Sequence, residues 1–218
     1  MPKRQGHKWF SAIWDWQTKH EPAEIRRWRD DIVGGARGRV LEIGCGVGAN
    51  FSRYSQSATQ VVATDPDPFM LDRARRRATE VGPNIEVREA EAESLPFDDA
   101  SFDAVVSTLN MCSVTDPARA LAEVHRVLKP DGQYRFFDHV RYKNPVGALF
   151  QDLATPLWTW VGAGCHPNRD IELLIREAGL DIVDIQHAHL VPPIPPMIIV
   201  RPCIKGVAVR RPAETPVA

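Results

Sequence analysis

The densest chemistry in the chain lies in Val40-Leu41-Glu42-Ile43-Gly44-Cys45-Gly46-Val47-Gly48-Ala49-Asn50, where an apolar strand runs into a turn with glycines at 44, 46 and 48. Glycine has no Cβ, so a ligand can approach the backbone closely at those positions. A helix starting after such a turn offers its first N–H groups and the positive end of its dipole. Asp65 closes the next strand roughly 20 residues further on, where a carboxylate can accept both hydroxyls of a ribose. A strand, a glycine turn and a distal acid together describe a site for an adenosine-containing ligand.

Gly44, Gly46 and Ala49 also satisfy the G-x-G-x-x-G/A dinucleotide pattern, so the loop alone leaves two ligands open. Glu42, two residues before the first glycine, places a second negative charge beside the ligand. That charge repels a pyrophosphate and attracts a cationic sulfonium that carries an amino-acid ammonium, which favours S-adenosylmethionine. A second reactive pair, Asp138-His139, falls at the end of a later strand, on the edge where open α/β sheets bind ligands. Adjacent strand residues point to opposite faces, so only one of the two is expected to face an acceptor. His139 is then the base, and Asp138 takes an orienting role.

The four cysteines, Cys45, Cys112, Cys165 and Cys203, are widely spaced and form no CxxC pair, which suggests neither a zinc site nor a disulfide framework. Cys45 and Cys112 read as small packing residues near the site. His187 and His189 share a strand face but have no acidic or cysteine partner at ligand spacing, so no metal is expected. Unpaired cysteines fit a reducing, cytoplasmic compartment. No apolar h-region follows the basic, aromatic stretch from Met1 to Phe10, and no window reaches the roughly 18 apolar residues that span a bilayer. The expectation is therefore a protein without stable membrane insertion.

The elements that must position these residues alternate between short apolar runs and amphipathic stretches, a pattern of parallel strands joined by helices. Seven strands are predicted: 39–43, 60–64, 85–88, 102–107, 134–140, 182–189 and 197–209. Asp116 caps a helix that starts at Pro117, buries Leu121, Val124 and Leu128 on one face, and stops at Lys129-Pro130-Asp131-Gly132. A further helix is expected from about Arg169, capped by Asn168, to Ala178, with Gly179 as its stop. The last two strands, separated by a proline run, are expected to pair as an antiparallel hairpin. The predicted fold is α/β: a Rossmann-like, mostly parallel seven-stranded sheet with helices on both faces. Residues 1–35 hold four of the six tryptophans and read as a helical lid, 36–210 as the main domain and 211–218 as a flexible tail. Arg73, Arg75, Arg76 and Arg77 read as a solvated helix face, and Phe150, Leu157, Trp158 and Trp160 as walls of an acceptor pocket.

With 218 residues, 44% hydrophobic and 25% charged, the chain matches an ordinary globular domain, which excludes disordered, collagen-like and disulfide-scaffold classes. A net charge of -1 supplies no global field for a phosphate polymer, so no nucleic-acid partner is expected.

The chain resembles the class I, seven-stranded S-adenosylmethionine-dependent methyltransferases over about residues 30 to 210. The likeness rests on the glycine loop, on Ala90-Glu91-Ala92-Glu93-Ser94-Leu95-Pro96-Phe97, on the Asp98–Val106 run, and on Leu121-Ala122-Glu123-Val124-His125-Arg126-Val127-Leu128-Lys129-Pro130-Asp131-Gly132. These motifs are similar to the menaquinone-methyltransferase-like branch. A narrower likeness, in Asn110–Val114, Phe137–Val140, Gly164-Cys165 and Val200–Val209, is to animal methyltransferase-like proteins that methylate alkyl and drug thiols. This chain lacks their hydrophobic N-terminal anchor and has Asp138 where they carry Glu.

The resemblance implies roles by position. Gly44, Cys45, Gly46, Gly48 and Asn50 would line the methionine part of the cofactor, with Glu42 near its ammonium and Asp65 on its ribose. Pro66 and Met70 would flank the adenine, Glu91 would accept from its N6, and the Ala92 backbone would complete that edge. Leu109 and Asn110 would sit beside the sulfonium, with Asn110, Asp138 and His139 at the reacting end. The expected reaction is direct in-line methyl transfer to a small, largely apolar acceptor, foremost a thiol, which is a few per cent thiolate at neutral pH and intrinsically nucleophilic. The alternatives are a phospholipid or quinone acceptor and, from another class, a silent module that binds the cofactor.

Overall fold

A computed structural model describes residues 8–82, 84–192 and 195–211. Seven strands form one sheet in the order β3-β2-β1-β4-β5-β7-β6. They are β1 (Gly38–Ile43), β2 (Ala58–Asp65), β3 (Ile85–Glu89), β4 (Phe102–Thr108), β5 (Leu128–His139), β6 (Leu180–His189) and β7 (Pro202–Arg210). The first five run parallel, and β7 lies antiparallel between β5 and β6. The helices are α1 (Lys8–Lys19), α2 (Ala23–Gly34), α3 (Pro68–Val81), α4 (Pro117–Val127), α5 (Pro145–Val161) and α6 (Ile171–Glu177).

The two-residue period of the central strands explains the layering. Leu41, Ile43, Val105, Tyr134 and Phe136 point to one face, where α4 and α6 cover them with Leu121, Val124, Ile171 and Ile175. Val40, Ala104, Val106 and Phe137 point to the other, under Trp28, Ile32 and Val33 of α2. Leu71, Ala74 and Ala78 of α3 extend that second layer over Ala63 and Phe51. The expected α/β architecture and its closing hairpin are therefore present.

Several local expectations change. No full helix follows the glycine turn; a single 3-10 turn, Phe51–Arg53, leads directly to β2. The stretch Ser52–Ser57 carries no apolar helical repeat, and the buried Phe51 alone anchors it, its ring 2.6 Å from where a Cβ on Gly48 would stand. The helix-dipole argument for the loop therefore falls away, leaving the loop's own N–H groups.

The segment 197–200 is 3-10 helix rather than strand, because Ile199 and Val200 turn inward to an apolar cluster and Arg201 is α-helical in conformation. Helix α4 ends at Val127, and Lys129–Gly132 lie inside β5, where the register shifts so that Phe102 faces Leu128 and Ala104 faces Gln133. The cap of α6 is Asp170, which accepts from Leu173 N–H at 3.0 Å; Asn168 instead donates to Asp152. Gly179 does stop this helix, with φ +79°. Residues 212–218 of the expected tail, 1–7 of the N-terminal segment, and Pro193 and Ile194 of the proline run lie outside the described residues.

Candidate active site

The C-terminal ends of β1, β2, β4 and β5 bring together the groups singled out in the sequence. Gly44, Gly46 and Gly48 all have positive φ, from 52° to 76°, a region that other residues reach only at a cost. A Cβ on Gly44 would collide with the Asn110 side chain, so that position demands glycine. Asn110 is aimed there by Leu109, which holds φ +54° and donates its N–H to Phe137 O at 2.6 Å. Strain of this kind in a non-glycine residue costs on the order of 1–3 kcal/mol and clusters at functional sites. The Asn110 Nδ2 is buried without a hydrogen-bond partner beside the loop, as expected of a group that awaits a ligand.

Asp65 accepts from Gly46 N–H at 3.0 Å and from Asp67 N–H at 2.9 Å, one bond to each carboxylate oxygen. It thereby fixes the loop while keeping lone pairs for a diol. Asp67 caps α3, and Met70 in its first turn is buried next to the half-buried Pro66. Glu91 is exposed and closes a tight turn with Ser94, and Ala92 packs into the core beside Leu95. Cys45 is buried in the α3 cluster, and burial pushes its thiol up, which suits a packing residue. Glycine approach points, an acid with spare lone pairs and an orphaned amide together fit the adenosyl, ribose and sulfonium parts of S-adenosylmethionine.

Behind the loop lies a buried polar network that the sequence reading missed. Glu42 accepts from Asn50 Nδ2 at 2.9 Å and from the Tyr54 hydroxyl at 2.8 Å. Arg29 of α2 donates to Glu21 at 2.9 Å, to Asn50 at 3.2 Å and to Thr108 at 2.7 Å. Burial raises the Glu42 carboxyl to about 7, against the pull of Tyr54, Asn50 and Arg29. Arg29 belongs to an amphipathic helix, and nothing in its spacing separates it from neighbouring surface arginines; only its place between Trp28 and Ile32 on the buried side marks it out.

The N-terminal helix reaches the same site. The Trp14 indole nitrogen would stand 3.4 Å from a Cβ on Gly46. Asp15 is bound by Arg77 at 2.8 Å and Arg73 at 3.3 Å. Two members of the arginine run therefore dock α1 rather than facing solvent alone.

At the other end of the site, Asp138 and His139 do not diverge as strand alternation predicts. His139 is the last residue of β5, and Cys112 lies across that strand end. The Cys112 N–H donates to Asp138 Oδ1 at 3.2 Å, while its sulfur lies 3.8 Å from His139 Nδ1. Cys165, from the turn after α5, brings its sulfur to 3.7 Å from the same nitrogen and 3.6 Å from Cys112 Sγ. Asp138 is fully buried, its Oδ2 has no hydrogen-bond partner, and burial followed by the nearby Cys112 holds its carboxyl well above the usual range. The hydrogen bond from Cys165, with burial, pushes the Cys112 thiol up. His187 does have an acidic partner, Glu172 at 3.1 Å on α6.

The expected aromatic wall is only partly present. Trp158 packs over the Cys112 and Cys165 cluster, with Val191, Ile199 and Val200. Leu157, Trp160 and Phe150 point outward, with Val146, Leu149 and Leu153, so that α5 presents a broad exposed apolar face. Period explains the split: 158 lies on the α5 side shared with Gln151 and Thr155, whereas 150, 153, 157 and 160 share the opposite side. No helix among the described residues is long and apolar enough to cross a membrane.

A seven-stranded sheet with an antiparallel end, a glycine loop after β1 and an acid closing β2 is the architecture of a class I methyltransferase. A family model described as a methyltransferase domain matches residues 41–136. The chain is 35% identical over 179 residues to thiol S-methyltransferase TMT1B of Rattus norvegicus, covering 78% of this chain and 70% of that protein. It is 32% identical over 176 residues to phosphatidylethanolamine N-methyltransferase of Cereibacter sphaeroides, covering 79% and 85%. A crystal structure of an S-adenosylmethionine-dependent methyltransferase from Aquifex aeolicus superposes with a TM-score of 0.65 at 17% identity, covering 94% and 98%. This chain belongs to the S-adenosylmethionine-dependent methyltransferases, and S-adenosylmethionine is its cofactor. Within that class it is similar to the thiol S-methyltransferases.

Proposed function

We propose that the chain methylates a small, largely apolar thiol. The observation that carries this reading is the buried, apolar-walled group of Asp138, His139 and Cys112 next to Asn110, with similarity to thiol S-methyltransferases in support. S-adenosylmethionine supplies a methyl group already activated on a sulfonium, so the protein has chiefly to align the acceptor and exclude water. Gly44, Cys45, Gly46, Gly48 and Asn50 line the methionine part, Glu42 answers its ammonium through the Asn50 network, and Asp65 holds the ribose. Pro66, Met70, Glu91 and Ala92 border the adenine. Leu109 and Asn110 stand at the reacting end, and α1 covers the loop through Trp14. His139 Nδ1 faces two sulfurs, which leaves Nε2 as the ring nitrogen for an acceptor.

The test is incubation of the purified protein with methyl-labelled cofactor and separate panels of thiols, amines, phenols and lipids. Labelled thioether from apolar thiols is the expected product, and His139→Ala should slow its formation roughly 100-fold or more while S-adenosylhomocysteine affinity is retained. Label found only in amine or phenol products would refute the thiol assignment.

A phospholipid or quinone acceptor is the second reading, favoured by the apolar face of α5, where Val146 is 80%, Leu153 75% and Trp160 85% exposed. An interfacial helix of this kind would put the site at a lipid surface. Product formed only in the presence of lipid vesicles would support it over a soluble thiol.

A further inference from the structure

We infer that Cys112, His139 and Cys165 form a binding site for a thiophilic divalent cation, zinc in the first instance, with one coordination position left open for the acceptor thiolate. The identity of that fourth ligand rests on the thiol reading above; the cation site does not.

The three ligand atoms form a triangle with edges of 3.6, 3.8 and 3.7 Å. A tetrahedral ion with metal–sulfur bonds of about 2.3 Å and a metal–nitrogen bond of about 2.0–2.1 Å needs a sulfur–sulfur edge near 3.8 Å and sulfur–nitrogen edges near 3.6 Å. The observed edges agree with those within about 0.2 Å, the tolerance expected of a preformed site. The three residues come from the β4–α4 loop, the end of β5 and the turn after α5, so no CxxC spacing announces them.

The surroundings hold this triangle rigid. Arg169 donates to Met111 O at 2.9 Å and to Val114 O at 2.8 Å, bracketing Cys112 from both sides. His166 N–H donates to Cys112 O at 2.7 Å, and Cys165 N–H to Gly162 O at 3.0 Å. Val191, Ile199, Val200 and Trp158 form the apolar shell.

Thiols packed for volume alone have no need of this arrangement. One imidazole nitrogen is shared by two weak donors, and a fully buried carboxylate oxygen, Asp138 Oδ2, beside them has no partner. A dication bound by two thiolates balances that charge. Three protein ligands and an open fourth position are the arrangement of catalytic rather than structural zinc sites, and a coordinated thiol is deprotonated outright. An acceptor thiol binding there releases its proton to solvent. Its sulfur lone pair then forms the new S–CH3 bond, and the methyl–sulfonium bond breaks with its electron pair retained by S-adenosylhomocysteine. In this arrangement His139 acts through its ligand nitrogen, and the cation does the work otherwise given to a base.

The test uses reduced full-length protein titrated with Zn2+ and, separately, Co2+. One ion per chain is expected, with the thiolate-to-cobalt charge-transfer absorption and intense visible bands of a tetrahedral site. Cys112→Ser, Cys165→Ser and His139→Ala should each weaken binding at least tenfold, and Cys45→Ser should leave it unchanged. The wild-type cobalt spectrum is independent of whether any variant folds. Absence of a stoichiometric ion, or equal binding by Cys112→Ser, overturns the site; so does a Cys112–Cys165 disulfide in isolated protein that takes up no cobalt after reduction. Adding an apolar thiol together with S-adenosylhomocysteine should shift the visible bands, and unshifted bands overturn the open position. An intact cobalt spectrum with no methyl transfer to any thiol refutes the proposed function and leaves the cation site standing.

Discussion

The two halves of the site are built in opposite ways. On the cofactor side, Glu42, the three glycines and Asn50 lie within nine residues of one another, and Asp65 ends the neighbouring strand. On the acceptor side, Cys112, His139 and Cys165 arrive from segments 26 and 53 residues apart and meet only because β4, β5 and α5 end at the same edge. The first half is a local motif stiffened by a buried polar network; the second is a tertiary coincidence stiffened by backbone hydrogen bonds. A chemistry common to a whole fold class suits the first design, and one particular to a branch suits the second.

The sharpest way to break this contrast is Arg29→Ala. It leaves Glu21, Asn50 and Thr108 without their shared donor, and removing one partner of a buried ion pair costs about 3–5 kcal/mol. Urea unfolding should show that loss, with weaker binding of S-adenosylhomocysteine in parallel. An equal loss of stability in Cys165→Ser would erase the distinction between the halves.

Glu42→Gln sharpens it next, through pH. The carboxyl titrates near 7 in the folded chain against an ordinary value of 4.5. The unfolded chain therefore ionises first, and Glu42 contributes stability that is present below about pH 4.5 and lost as pH rises to 7. The swing is about 3 kcal/mol. Unfolding followed between pH 5 and 7 should fall less steeply in Glu42→Gln, whose Nε2 can be accepted by a reoriented Tyr54 hydroxyl. An unaltered slope would place the titration elsewhere.

The smallest expected effect is that of Leu157→Ser, on the exposed face of α5. It should change stability by no more than about 0.5 kcal/mol in thermal unfolding. If it nonetheless abolishes activity with vesicle-borne acceptors, the lipid reading gains over the soluble thiol.

Much of the fold is legible in the sequence because its signals are local. Alternating apolar runs mark β1, β2, β4 and β5, and Asp116 with Pro117 marks the start of α4. The cofactor half is legible for the same reason. What is not legible depends on distant contacts. Phe51 packs under Gly48 in place of a helix, Asp170 outcompetes Asn168 for the α6 cap, and Ile199 and Val200 leave the sheet to cover two thiols. Asp138 and His139 show the limit most clearly: the alternation rule separates them, but Cys112 crosses the strand end and meets one with its backbone and the other with its sulfur.

The position of β7 between β5 and β6 also bears on biosynthesis. Those two strands have no hydrogen bonds to each other, so the outer edge of β5 stays open while the ribosome makes everything up to Pro202. The aliphatic cover of Cys112 and Cys165 is translated in the same late interval. A nascent chain can thus complete its nucleoside-binding half early, while its thiols meet the redox conditions of the cell before the fold encloses them.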